Sequence, residues 1–149
     1  LIGALAIITT LLLSGCGNDY GVDQYGQKVA AERLDKQWLV VNYWAEWCGP
    51  CRTEIPELNA LAEQLKGQNV GVFGVNFDNV QGAELKEASD KLGIKFTVLA
   101  QNPDGIFDIP RSEALPVTYI IDDKGKVREQ LMGEQTAQGV REKLKALRG

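Results

Sequence analysis

Histidine is absent from all 149 residues. That absence excludes Cys-His and Ser-His nucleophilic pairs and every metal site that relies on imidazole. Cysteine is scarce as well: Cys16 stands alone, Cys48 and Cys51 form a close pair, and the odd one needs its own explanation. Positive charge is not in excess, with 16 Lys and Arg against 20 Asp and Glu for a net charge of -4. No charged residue precedes Asp19, so the acidic balance belongs to the chain beyond it and argues against a nucleic-acid partner. There is no internal repeat and no low-complexity tract. The long apolar run is confined to Leu1–Leu13, broken only by Thr9 and Thr10.

What is present suits one soluble domain, with 44% apolar and 24% charged residues. Trp38 to Trp44 is apolar and aromatic without helical period and predicts a buried strand. From Cys51, apolar Ile55, Leu58, Leu61, Ala62 and Leu65 recur at spacings of three and four, and Gly67 follows, so an amphipathic helix is expected. Asn69–Phe77 predicts a strand and Gln81–Leu92 a helix stopping at Gly93, while Phe96–Leu99 fits a short strand. Gln101–Leu115, with Pro103, Gly105 and Pro110, predicts an irregular loop. Strands over Val117–Asp122 and Val127–Met132, joined by a turn, and a helix over Thr136–Leu147 complete the chain. This order implies α/β layering with a parallel start and an antiparallel hairpin finish.

Trp44-Ala45-Glu46-Trp47-Cys48-Gly49-Pro50-Cys51 lies where the first strand feeds the first helix. Cysteines three apart at a helix start share a face and can close a disulfide over one turn. The helix N-terminus favours the Cys48 thiolate through its free N–H groups and dipole. Three other readings compete. A zinc site lacks its remaining ligands, a c-type haem site would need His where Arg52 stands, and a purely structural disulfide would close too short a loop to stabilise much. Pro50 fits the first helical turn, and Gly49 leaves room for a substrate sulfur. Pro56 should either kink the helix or mark a later start. Trp44 reads as core, and Trp47 as a partly exposed wall beside Cys48.

Trp-Cys-Gly-Pro-Cys preceded by Trp-Ala-Glu is similar to thioredoxin. The wider pattern, Asn42 to Ala45 before the motif and Arg52-x-Glu54-x-Pro56 after it, resembles the TlpA-like and ResA-like periplasmic thioredoxins from roughly Gln24 onward. The resemblance implies an α/β thioredoxin fold, a central mixed sheet flanked by helices with an insertion before the cis-proline strand, here Asp78–Leu115. It also implies thiol-disulfide oxidoreductase chemistry without a cofactor, protein disulfide substrates, and a membrane thiol reductase of the DsbD type as electron donor. Cys48 and Cys51 would be the catalytic pair. In the resembled family the glutamate matching Glu54 tunes the thiols, so Glu54 is expected to handle the proton of Cys51, which needs shielding from water; the alternative is an ordinary solvated helix charge. Thioredoxin has a buried Asp where this chain has Asn42, which cannot titrate. Leu115-Pro116-Val117-Thr118 resembles the cis-proline loop that meets extended substrate; a trans turn proline is the alternative. Trp47, Gly49, Pro50, Leu115 and Pro116 are therefore the expected substrate contacts, with Arg111 and the loop around Pro110 as further candidates.

Leu13-Ser14-Gly15-Cys16 after the apolar run resembles a bacterial lipoprotein signal box, which makes Cys16 the expected lipidation site. A membrane-spanning helix would need a run of roughly 20 residues, and a free thiol would leave the small residues before Cys16 unexplained. The expected division is 1–15 signal peptide with its natural start upstream, 16–26 lipidated Cys and tether, and 27–149 a thioredoxin-like domain. The protein is expected to be a monomer, anchored to the inner or outer membrane and facing the periplasm. A reductase is expected; an oxidant, an isomerase or a non-catalytic binding protein on the same fold are the alternatives. A peroxidase would want Pro-x-x-x-Thr-x-x-Cys, which does not occur, and a Sco-type copper chaperone would want Cys-x-x-x-Cys plus His.

Overall fold

A computed structural model describes residues 17–149. Strand β1 (Trp38–Trp44) is buried at every position because it lies in the middle of the sheet, parallel to β2 (Val70–Asn76) on one side and antiparallel to β4 (Val117–Ile121) on the other. A short β3 (Thr97–Leu99) extends the sheet beyond β2, and β5 (Val127–Met132) pairs with β4, giving the order β3-β2-β1-β4-β5. The mixed five-stranded sheet and its helices form the expected thioredoxin fold.

Helices α1 (Gly49–Gln64) and α2 (Gly82–Lys91) make the crossovers from β1 to β2 and from β2 to β3. Both crossovers step the same way across the sheet, so the right-handed rule places both helices on one face. There they share a core with α4 (Ala137–Arg148): Val40, Trp44, Ile55, Leu58, Leu85, Val98, Ile120 and Val140 belong to one cluster. The opposite face has no crossover helix to cover it. Irregular chain and a single helical turn do so instead, with Tyr20, Val29, Leu34, Phe107 and Ile109 packing on Leu39, Val41, Tyr43 and Tyr119. Alternation along β1 therefore turns Val40, Asn42 and Trp44 toward the helices.

Two expectations change. Residues 18–26, expected to be a tether, are built into the domain edge. Tyr20 is 1% and Gln24 4% exposed, Tyr20 donates to Asp35 at 2.6 Å, and Asp23 bridges Leu99. The Gln24 amide completes the free edge of β3, donating to the Phe96 carbonyl and accepting from the Val98 N–H. A polar composition can mark edge-pairing chain as well as free linker. The 101–115 loop also contains a single helical turn, α3 (Asp104–Phe107), which seats Phe107 in the second core. Pro56 lies inside α1, which starts at Gly49, so the later helix start does not occur. The insertion 78–115 supplies α2, β3 and α3. Among the described residues no helix is long and apolar enough to cross a membrane.

Candidate active site

Strand β1 ends at Trp44, the Cys48 N–H returns to the Ala45 carbonyl at 3.2 Å, and α1 begins with Cys48 as its N-cap. Cys48 and Cys51 are joined as a disulfide across this first turn, their Cα atoms 5.3 Å apart. The Cys51 N–H points at Cys48 Sγ at 3.2 Å, a donor that serves a thiolate once the bond opens. Cys51 is fully buried and Cys48 nearly so, while Trp47, Gly49 and Pro50 around them are exposed. Trp47 is 66% exposed but held, with its Nε1 donating to Asp78 at 2.8 Å and its ring meeting Phe77 edge-on. Trp44 is fully buried, as expected. The Arg52 guanidinium is turned away to the Glu46 carbonyl, at 2.6 and 3.2 Å.

Because β4 runs antiparallel to β1, its first residues arrive at the end of β1 from which the cysteines emerge. The Leu115–Pro116 bond preceding β4 is cis, as the resemblance implied, and the Pro116 carbonyl accepts the Gly133 N–H at 2.9 Å. Beside it opens a cleft of about 380 Å³ lined by Phe77, Asn102, Ile109, Arg111, Ser112 and Tyr119 among others. Arg111 and Pro110 thus border the same end of the sheet as the disulfide.

Glu54 follows Cys51 by one helical turn and is 1% exposed, not a solvated helix charge. Its Oε1 accepts from Asn42 Nδ2 at 2.6 Å and its Oε2 from the Gln135 N–H at 2.9 Å. Burial pushes its pKa up to about 7 against the opposing pull of those two hydrogen bonds, and the negative charge of Glu134 adds to the rise. The carboxyl is therefore poised to exchange a proton near neutrality. Among the described residues, no group of three or more His, Cys, Asp and Glu side chains gathers where a metal could sit.

The fold brings Cys48, Cys51, Glu54, Trp47, Gly49, Pro50, Leu115 and Pro116 to one end of β1; Cys16 lies outside the described residues. Sequence reasoning missed the surroundings of Glu54. Asn42 holds one carboxylate oxygen and also donates to Thr118 Oγ1 at 3.0 Å, its cross-strand neighbour. One signal for it existed: Asn42 is the sole polar side chain in an otherwise apolar and aromatic run. Gln135 and Asp78 had none.

The AhpC/TSA family model matches residues 12–130 of this chain. A thiol-disulfide oxidoreductase ResA of Bacillus anthracis is 31% identical over 125 residues, 84% of this chain and 72% of that protein. The thioredoxin-like protein YneN of Bacillus subtilis is 28% identical over 121 residues, 80% of this chain and 70% of its own. Among solved structures, a thioredoxin-family thiol:disulfide interchange protein from Chlorobium tepidum superposes with a TM-score of 0.71 at 25% identity, covering 87% of this chain and 92% of that one. StoA from Bacillus subtilis, at 17% identity and a TM-score of 0.64 over 81% and 92% of the two chains, shares the fold.

Proposed function

This chain belongs to the AhpC/TSA family, among its thioredoxin-like thiol-disulfide oxidoreductases, and from that membership we propose that it reduces disulfides in protein substrates outside the cytoplasm. The observation that carries the reading is the Cys48–Cys51 disulfide at the N-terminus of α1, with exposed Trp47, Gly49 and Pro50 around it and the Pro116 loop alongside.

In the reduced enzyme the Cys48 thiolate attacks one sulfur of a substrate disulfide, forming a mixed disulfide and releasing the other substrate sulfur as a thiolate that takes up a proton. Cys51 gives its proton to Glu54, attacks Cys48 Sγ, and expels the second substrate sulfur, which takes a proton in turn. The substrate has then gained two electrons and two protons, one proton from Cys51 by way of Glu54, which returns to its carboxylate, and the other from solvent, and Cys48 and Cys51 are left as the disulfide. A donor dithiol reverses the change, and no cofactor enters. Trp47, Gly49, Pro50, Leu115 and Pro116 form the surface that meets the substrate chain.

The reducing direction is favoured by what surrounds Cys48. A strongly oxidising dithiol needs heavy stabilisation of its thiolate. Among the described residues the Cys51 N–H is directed at that sulfur, while the Arg52 guanidinium is engaged with Glu46. Gly-Pro between the cysteines also matches thioredoxin. In the cell the proposed protein is a monomer lipidated at Cys16 after removal of 1–15, held in the periplasm at the inner or outer membrane, and recharged by a membrane thiol reductase of the DsbD type.

Trapping tests the reading. In Cys51→Ala the mixed disulfide cannot be resolved, so Cys48 should hold substrate proteins in complexes that dithiothreitol releases. An absence of such complexes, with the variant folded, would make the chain a binding protein on this fold.

A further inference from the structure

Asn42 is fully buried, and its side chain meets two polar groups by one atom alone: Nδ2 lies 2.6 Å from Glu54 Oε1 and 3.0 Å from Thr118 Oγ1. Its Oδ1 is buried and, among the described residues, has no hydrogen-bond partner. The 2.6 Å separation is short for N–H···O, which clusters near 2.9 to 3.0 Å, and normal for O–H···O. Gln135 presents a fixed backbone N–H to Oε2, so that oxygen is an acceptor in either state of Glu54. When the carboxyl is protonated, the proton therefore sits on Oε1 and faces Asn42.

A carboxylate and a carboxylic acid make opposite demands at that contact. The first wants a donor and the second an acceptor, and a primary amide carries one of each, related by a half-turn about its last bond. The Thr118 hydroxyl both donates and accepts, so it pairs with either end of the amide. Among the described residues no hydrogen bond at Oδ1 opposes the half-turn. We propose that Asn42 is a positioning residue whose side-chain amide turns over when Glu54 changes its protonation state, donating through Nδ2 to the carboxylate and accepting through Oδ1 from the acid.

Among the described residues, charged neighbours do not supply this compensation. From other elements, Glu134 ahead of α4 acts on Glu54 and carries the same charge. Glu57, the next carboxyl along α1, is occupied by the Ala137 N–H. Strand β1 contributes Asn42 and β4 contributes Thr118, neither of them titratable. An Asp in place of Asn42 would add a second buried carboxyl, and an apolar residue would leave Oε1 unpaired in both states. The amide thus holds Glu54 in one place throughout the proton exchange, a role that rests on Glu54 serving Cys51.

The turnover is measurable without that premise. In protein carrying ¹⁵N-labelled Asn and ¹³C-labelled Glu, the Glu54 carboxyl carbon reports its own titration. The expected result is that the Asn42 Nδ2 protons titrate with the same midpoint, and that their nuclear Overhauser contacts to Thr118 are present above it and lost below it. In Glu54→Gln, the Gln135 N–H holds the new carboxamide oxygen and turns its NH2 toward Asn42, so the low-pH pattern should persist at every pH. Contacts to Thr118 that stay unchanged while Glu54 titrates, or that persist in Glu54→Gln, overturn the inference. An unchanged pH profile of thiol exchange in Glu54→Gln would instead overturn the proton role of Glu54 and leave the turnover standing.

Discussion

Glu54 Oε2 accepts the backbone N–H of Gln135 at 2.9 Å, a bond between the first turns of α1 and the loop ahead of α4. One turn further along α1, Glu57 accepts the N–H of Ala137 at 2.8 Å. The helix carrying the cysteines is thereby held to the C-terminal helix by two of its own carboxylates. Only Glu54 is buried, so the site's proton chemistry and the packing of α1 on α4 share one group.

That sharing gives stability a specific pH dependence. The folded protein holds the Glu54 proton up to about pH 7, whereas the unfolded chain releases it near 4.5. Between these values the native state binds more protons, so stability falls as pH rises and stays lowered above 7. The whole interval corresponds to about 3 kcal/mol. Chemical denaturation at pH 4.5 and 7.5 should therefore show Glu54→Gln gaining on the wild type with increasing pH; a constant difference between them would contradict this.

Gln24→Leu removes the amide that pairs both the Phe96 carbonyl and the Val98 N–H. Leaving two backbone groups on the β3 edge unpaired should cost about 2 to 3 kcal/mol. Hydrogen exchange at Val98 should quicken more than at Val40 in central β1, which distinguishes a loosened edge from a loss of stability throughout the domain.

Gly74 faces the helix-side core, where an added Cβ would lie 2.8 Å from Phe96 Cε2 and 3.1 Å from Trp44 Nε1. Both rings are packed on their other sides, so Gly74→Ala should destabilise by about 1 to 3 kcal/mol. Thermal unfolding reads the loss, and unchanged stability would mean that the indole has room to move.

Trp47 contributes exposed surface instead of core. Trp47→Ala should leave stability within about 1 kcal/mol, because most of the side chain is already in solvent and it gives up contacts such as those with Asp78 and Phe77. Its exchange with protein disulfides should slow while exchange with a small dialkyl disulfide is preserved. Equal slowing of both would assign Trp47 to the cysteines' own reactivity.

The parts of this site that could be read in the sequence are local. A strand feeding a helix at Cys48, the spacing from Cys51 to Leu65, and Leu115-Pro116 before a strand each depend on neighbours within a turn or two, and each is present. What escaped depends on distant chain. The environment of Glu54 is made by residues 12 and 81 positions away. Gln24 reads as linker until β3 is known to present a free edge 72 to 74 positions later. α3 is a single turn, too short for any period to show.

The reduction potential of the Cys48–Cys51 couple, equilibrated against a thiol-disulfide buffer, tests the proposed direction most directly. A reductase should give a value near that of thioredoxin, about -250 mV or lower. A value above roughly -150 mV would contradict that direction and make the protein an oxidant or isomerase.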